Sequence, residues 1–314
     1  NSLLAVSLFS EITKKFNKQL PVPVLLQAPT VAQLAGVLRQ DGWVPPRTVL
    51  VPLQAGGSKP PFFYVPPIGS TALSAVRYIP YQSPDQPFYG LQPLGFEEGE
   101  TPHDRVEDMA AYYIKEIRSI QPEGPYYLGG QCYGCTIVFE MAQQLQAQGY
   151  PVALLALLDQ VSPLRAAVPA PLLKRIYAYS RRIIYEHSYG NLSWAFVMES
   201  FYRRFNTLRR MKEIKKQFEP QELRIKHVMD AHFGAVMSYI PQSYPGKITL
   251  LQNRESYIME QKGFLTRRWV DLAEGEFDCR VVEGNHWTIF NQESLFQPLA
   301  EQLKNCLEEA QDSQ

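Results

Sequence analysis

Apolar positions follow one spacing at the start of this chain, another through its body and a third across a long interruption. Leu4, Val6, Leu8, Phe9, Ile12 and Phe16 form a stripe punctuated by Pro21, Pro23 and Pro29, which predicts short helices over residues 1–40. A piece of that size buries too little surface to close a stable core alone. Residues 41–60 carry Pro45, Pro46, Pro52, Gly56, Gly57, Ser58 and Pro60 without helical periodicity and read as a linker.

From Pro61 onward, short apolar runs alternate with helical spacing. Phe62–Val65 predicts a strand ending in the loop Pro66-Pro67-Ile68-Gly69, and Phe88–Leu91 predicts another. Met109, Tyr113 and Ile117 mark a helix over Val106–Ile120. Tyr126–Gly129 is a strand running into a glycine-rich turn, followed by a helix over Ile137–Gln148 and a buried strand over Val152–Leu158. Residues 161–225 break the rhythm with a helix-rich insertion, striped by Leu172, Ile176, Tyr179 and Ile183, then by Val197, Phe201, Phe205 and Leu208. The alternation then resumes with a helix near Met229–Tyr239, strands at Ile248–Leu251 and Cys279–Val282, and a last helix around Leu295–Leu307. Strands alternating with helices imply an α/β fold with a mostly parallel sheet covered on both faces, and the insertion reads as a lid.

Composition narrows the function classes. Lysine plus arginine and aspartate plus glutamate each number 31, so no global field points to nucleic acid or a membrane surface. No apolar run is long enough to span a bilayer, and the N-terminus lacks a signal-peptide layout. Four cysteines make no disulfide framework in a chain of 314 residues, which points to a reducing, cytoplasmic setting. Asn1-Ser2-Leu3-Leu4 begins mid-pattern and reads as part of a longer polypeptide.

The sharpest chemical signal is Gly130-Gln131-Cys132-Tyr133-Gly134, a cysteine with glycines two residues to either side, between a strand and a helix. That is the pattern of a nucleophile elbow. The turn is tight enough to strain the nucleophile's backbone, and only glycine lets neighbouring backbone pass so closely. The helix N-terminus then favours a thiolate, and its first N–H groups can receive an oxyanion. Cys132 and Cys135 also form a C-x-x-C, open to a redox reading. Gly130 and Gly134 have no place in a redox pair, and without a second such motif no metal site is expected. Cys135 reads as a small buried helix residue.

A cysteine hydrolase needs a histidine to carry protons and an acid to orient it. His286, in Glu283-Gly284-Asn285-His286-Trp287 after the last predicted strand, is placed for the first role. His103, His187, His227 and His232 read as surface or capping residues. Asp159 ends the strand Leu154–Leu158, where a carboxylate would face the crevice, and Glu255 is a second candidate. The order Cys132, Asp159, His286 is that of α/β hydrolases. The N–H groups of Tyr133 and Ile68 are the candidate oxyanion donors.

Residues Pro61–His286 resemble the type I thioesterase domains that terminate non-ribosomal peptide and polyketide synthases. The resemblance rests on Phe63–Gly69, Gln121–Tyr126, the elbow, Leu158-Asp159 and Gly284-Asn285-His286. It implies an α/β-hydrolase fold over residues 61–310 with a lid at about 161–225, and it favours Asp159 over Glu255. Residues 1–40 resemble the second half of a carrier domain, with Ser2 at the phosphopantetheine attachment position. The implied partner is a carrier domain of the same synthase, with phosphopantetheine on the carrier and no cofactor in the thioesterase domain.

Cysteine stands where most family members have serine. Transfer from a pantetheine thioester to Cys132 is then a nearly isoenergetic thioester exchange. The activated acyl-enzyme suits release by cyclisation, to a lactone or lactam, as well as by hydrolysis. Twelve lysines or arginines lie between Arg165 and Lys216, against Glu186, Glu199 and Glu213, and such a lid could steer an acidic carrier. The competing functions are a free-standing cysteine esterase, an acyltransferase of the same fold and a non-catalytic carrier-docking module.

Overall fold

The structure is a computed structural model that describes residues 8–159 and 220–313, apart from 9–10, 14, 17, 19, 21–23, 29, 41–48, 97–98, 263–267 and 287. Ser2 and residues 161–219 of the predicted lid, with its basic and aromatic side chains, lie outside the described residues.

Among the described residues, seven strands form one sheet: β1 (Leu50–Gln54), β2 (Phe62–Val65), β3 (Phe88–Leu91), β4 (Tyr126–Gln131), β5 (Val152–Leu158), β6 (Ile248–Asn253) and β7 (Phe277–Val282), in spatial order β1-β3-β2-β4-β5-β6-β7. All neighbours pair in parallel except β1, which runs antiparallel to β3 at the edge. The inner strands β2, β4 and β5 are apolar on both sides because both faces are covered. On one face pack α3 (Val106–Arg118) and α4 (Gly134–Ala147), with Trp269 closing on Phe139 at 5.1 Å between ring centroids. On the other lie a 3-10 helix (Ala72–Tyr81) and α8 (Glu293–Asp312). The spacing of α8 explains its placement: Phe296, Leu299, Ala300, Leu303, Cys306 and Leu307 recur on one side and are all buried.

Among the described residues, α5 (Pro220–Ser238) packs on the face of α3 and α4, while α6 (Arg254–Gln261) follows β6 and α7 (Thr288–Asn291) follows β7. Near the N-terminus, α1 (Val24–Gln27) and α2 (Val31–Arg39) gather a small cluster of Ile12, Leu20, Val24, Ala28 and Leu34, against which Leu73 packs.

The stretch 41–60 is not wholly a linker, since residues 50–54 form β1. Pro52 lacks the N–H of a central strand and is tolerated at the sheet edge, beside a register shift between Pro52 and Gln54. The helix α5 starts at Pro220, inside the stretch assigned to the lid.

Candidate active site

The C-terminal ends of β4, β5 and β6 and the loop after β7 converge on one site. At the end of β4 the chain turns through Cys132, whose φ is 53°, directly into α4. Two glycines make the turn possible. A Cβ on Gly130 would lie 2.4 Å from the Gly134 carbonyl oxygen, and one on Gly134 would lie 2.5 Å from that of Val65 and 2.7 Å from that of Pro66. These are backbone contacts with little room to yield. They press the end of β2 and its Pro66–Gly69 loop against the start of α4. The Ile68 N–H has no hydrogen-bond partner among the described residues, whereas the Ser70 N–H donates to the Pro67 carbonyl at 3.0 Å. Tyr133 occupies the N-cap position of α4.

The Cys132 N–H donates to the Leu158 carbonyl at 2.9 Å, which fixes the turn to the end of β5. Cys135 lies below, fully buried, its thiol donating to the Gly130 carbonyl at 3.0 Å; burial pushes that thiol well above its ordinary value. It is a bonded core residue.

Cys132 Sγ lies 3.7 Å from His286 Nε2, and His286 Nδ1 lies 2.8 Å from Asp159 Oδ2. Asp159 has no exposed surface and, like Cys132, a left-handed backbone, with φ 55°. Strain of this kind concentrates where geometry is enforced by surroundings. The hydrogen bond to Asp159, and after it the one to Cys132, raises His286 from its ordinary 6.5 to about 10. Both contacts favour the charged form of the imidazole. The carboxylate that reaches His286 Nδ1 is that of Asp159, while Glu255 lies in the first turn of α6.

Asn253 belongs to the site and was not singled out in the sequence. Its backbone N–H donates to Asp159 Oδ1 at 3.1 Å, and its side-chain Nδ2 donates to the same oxygen. The available signal was an asparagine between an apolar strand and the polar run Arg254-Glu255-Ser256, the pattern of a helix cap.

His232 is buried, not at the surface: it sits on the inward side of α5, where burial lowers it to about 4. His227 is exposed, and His103 is half-buried with its ring 5.2 Å from that of Tyr112. The helix α5 also reaches the site. Met229 packs on Gly69, and the Phe233 ring lies 6.1 Å from that of Tyr133. No group of histidine, cysteine, aspartate and glutamate among the described residues could hold a metal ion, and no described helix is long and apolar enough to cross a membrane.

A mostly parallel sheet with a strained cysteine at a strand–helix turn, and a carboxylate and an imidazole just after later strands, is the arrangement of an α/β hydrolase. The thioesterase domain family model matches residues 60–305, and the chain belongs to that family; residues 1–38 match the phosphopantetheine attachment site. The phosphopantetheine that such a segment implies is carried by the carrier part. The chain is 43% identical over 159 residues to a dimodular nonribosomal peptide synthase of Bacillus subtilis (strain 168), covering 51% of this chain and 7% of that protein. It is 39% identical over 163 residues to the indigoidine synthase of Dickeya dadantii (strain 3937), covering 52% and 11%. The chain thus spans only a small part of the length of either relative. Among solved structures, the NocB thioesterase domain in covalent complex with a fluorophosphonate nocardicin G analogue aligns with a TM-score of 0.57 at 20% identity, over 83% of this chain and 98% of that one. The fold is shared with it.

Proposed function

We propose that Cys132 takes an acyl or peptidyl chain from the phosphopantetheine of a synthase carrier domain and that the chain is then released by cyclisation or hydrolysis. The observation that carries this reading is the unbroken contact Cys132–His286–Asp159 behind a strained elbow. His286 Nε2, 3.7 Å from Sγ, takes the proton of Cys132 and leaves the sulfur as the attacking thiolate. The thiolate attacks the thioester carbonyl carbon, and the developing oxyanion is met by the N–H groups of Tyr133 and Ile68. As the tetrahedral species collapses, His286 gives its proton to the departing pantetheine sulfur. Neutral His286 next takes a proton from the attacking water, or from a hydroxyl or amine of the bound chain. Expulsion of the Cys132 thiolate restores the ion pair, so protons balance over the cycle.

A thioester acyl-enzyme keeps the activation that an oxyester would lose. This favours an internal nucleophile and makes a lactone or lactam the expected product class. The test is intact-protein mass spectrometry after mixing with an acyl-pantetheine thioester, beside Cys132→Ala. An acyl adduct on the wild type alone supports covalent transfer through Cys132. Unchanged turnover by the alanine variant would leave a docking role or another nucleophile. Product analysis separates ring from linear acid, and only linear acid from the authentic substrate would end the cyclisation reading.

A further inference from the structure

Asn253 is a fully buried polar residue with every side-chain contact accounted for. Its Oδ1 accepts from the Ser256 N–H at 2.8 Å, capping α6. Its Nδ2 donates to the Ser256 hydroxyl at 2.9 Å and to Asp159 Oδ1. The Ser256 N–H needs an oxygen and the carboxylate needs a nitrogen, so the amide has only one workable orientation. The backbone N–H of Asn253 adds a second donor to Asp159 Oδ1. The next turn of the same segment reaches the base as well: the Glu255 N–H donates to the Gly284 carbonyl at 3.3 Å, two residues before His286.

We infer that Asn253 is a positioning residue for acyl transfer, acting through Asp159. Its two donors occupy one carboxylate oxygen, leaving the other directed at His286 Nδ1 and the charge fixed on the acid. Without the amide donor, the buried carboxylate keeps one partner on that side, can rotate away from the imidazole, and holds the imidazolium less firmly. The first turn of α6 thus serves as a common bracket for the acid and for the loop that carries the base.

The inference rests on the reading of Cys132, His286 and Asp159 as the acyl-transfer residues, so its test includes a readout that needs no turnover. Asn253→Ser keeps a good helix cap but is too short to reach Asp159. Expected are a cooperatively folded protein melting several degrees below wild type, a His286 pKa that falls toward its ordinary value by NMR, and acylation slowed on the order of ten- to hundredfold. KM should stay within about twofold, because ground-state binding is untouched. Asn253→Asp covers the case in which the serine variant does not fold. It also caps α6, but places a second carboxyl against Asp159, where one of the two must hold a proton. Its rate should fall with rising pH where the wild type's does not. An unchanged His286 titration and rate in Asn253→Ser, or an Asn253→Asp pH profile parallel to wild type, would overturn the inference and leave Asn253 as a cap only. A normal His286 response in a protein that forms no acyl adduct would instead count against the catalytic reading.

Discussion

Replacing Asp159 with asparagine tests the arrangement most directly, because the surroundings dictate how the new amide must sit. Asp159 Oδ1 faces two donors, the N–H and Nδ2 of Asn253, so in Asp159→Asn the amide oxygen must take that side. The amide NH2 group then faces His286 Nδ1, where Oδ2 now lies at 2.8 Å. A donor opposite Nδ1 forces that nitrogen to be unprotonated, which leaves the proton on Nε2, pointing at Cys132. The imidazole can then neither accept from Cys132 nor become imidazolium without meeting a donor. It also loses the largest of the causes that raise it from 6.5 to about 10. The equivalent substitution in a Ser-His-Asp protease costs about 10⁴ in kcat. A thiol ionises more readily than a hydroxyl, so a loss of roughly 10²–10³ in acylation rate is expected here. The assay is rapid quench of an acyl-pantetheine thioester with intact-mass readout at about pH 8, paired with NMR titration of His286 in both proteins. An acylation rate within about threefold of wild type, together with an unshifted His286, would refute the reasoning and reopen the choice of acid.

Iodoacetamide at neutral pH should place one adduct on the native protein, at Cys132, and none on Cys132→Ala. Cys135 and Cys306 are buried, and burial holds Cys306 up at about 12 and Cys279 at about 11. All four cysteines should label after denaturation; rapid native labelling of the alanine variant would contradict this. Gly134→Ala should cost about 1–3 kcal/mol in urea unfolding and slow acylation, because its Cβ would meet two carbonyl oxygens, those of Val65 and Pro66. A variant as stable as wild type would show that the elbow yields more easily than its contacts imply. Because His286 is raised on folding, the stability it contributes is complete below about pH 6.5 and is lost as pH climbs through about 10. The difference in unfolding free energy between wild type and His286→Gln should therefore shrink across that window, and a constant difference would refute the linkage.

The parallel core was legible because its strands are unbroken apolar runs. Val152–Leu158 matches β5 end to end, and the spacing of Met109, Tyr113 and Ile117 placed α3. Cys132 could be chosen from its strand–turn–helix motif and His286 from its place after the last strand, while the preference for Asp159 over Glu255 came from the family resemblance. What escaped was short or carried mixed signals. Pro52 disguised β1, since a ladder position without an N–H reads as non-strand until the edge is known. The 3-10 helix Ala72–Tyr81 contains the helix breaker Pro80 and buries Ala72, Ala75 and Tyr78, a period of three that follows no α-helical or strand template. Asn253 looked like punctuation after a strand. Its second task depends on Asp159, 94 residues earlier in the chain, and local spacing carries no trace of such a pairing.

The reversed edge strand has a geometric consequence for delivery. Leu50 pairs with Leu91, at the C-terminal end of β3, and Gln54 pairs with Phe88 at the other end. The chain therefore joins the sheet on the rim that bears Cys132; a direct approach to β2 would have joined it on the opposite rim. Three strand spacings separate β1 from β4, roughly 14 Å across the sheet. Ten residues, 40–49, join Arg39 at the end of α2 to Leu50, with a stretched reach of about 35 Å. That number of residues sets an upper limit on how far the segment bearing α1 and α2 can stand from the start of β1. The point of attachment therefore confines that segment's reach to the side of the sheet on which the candidate site opens.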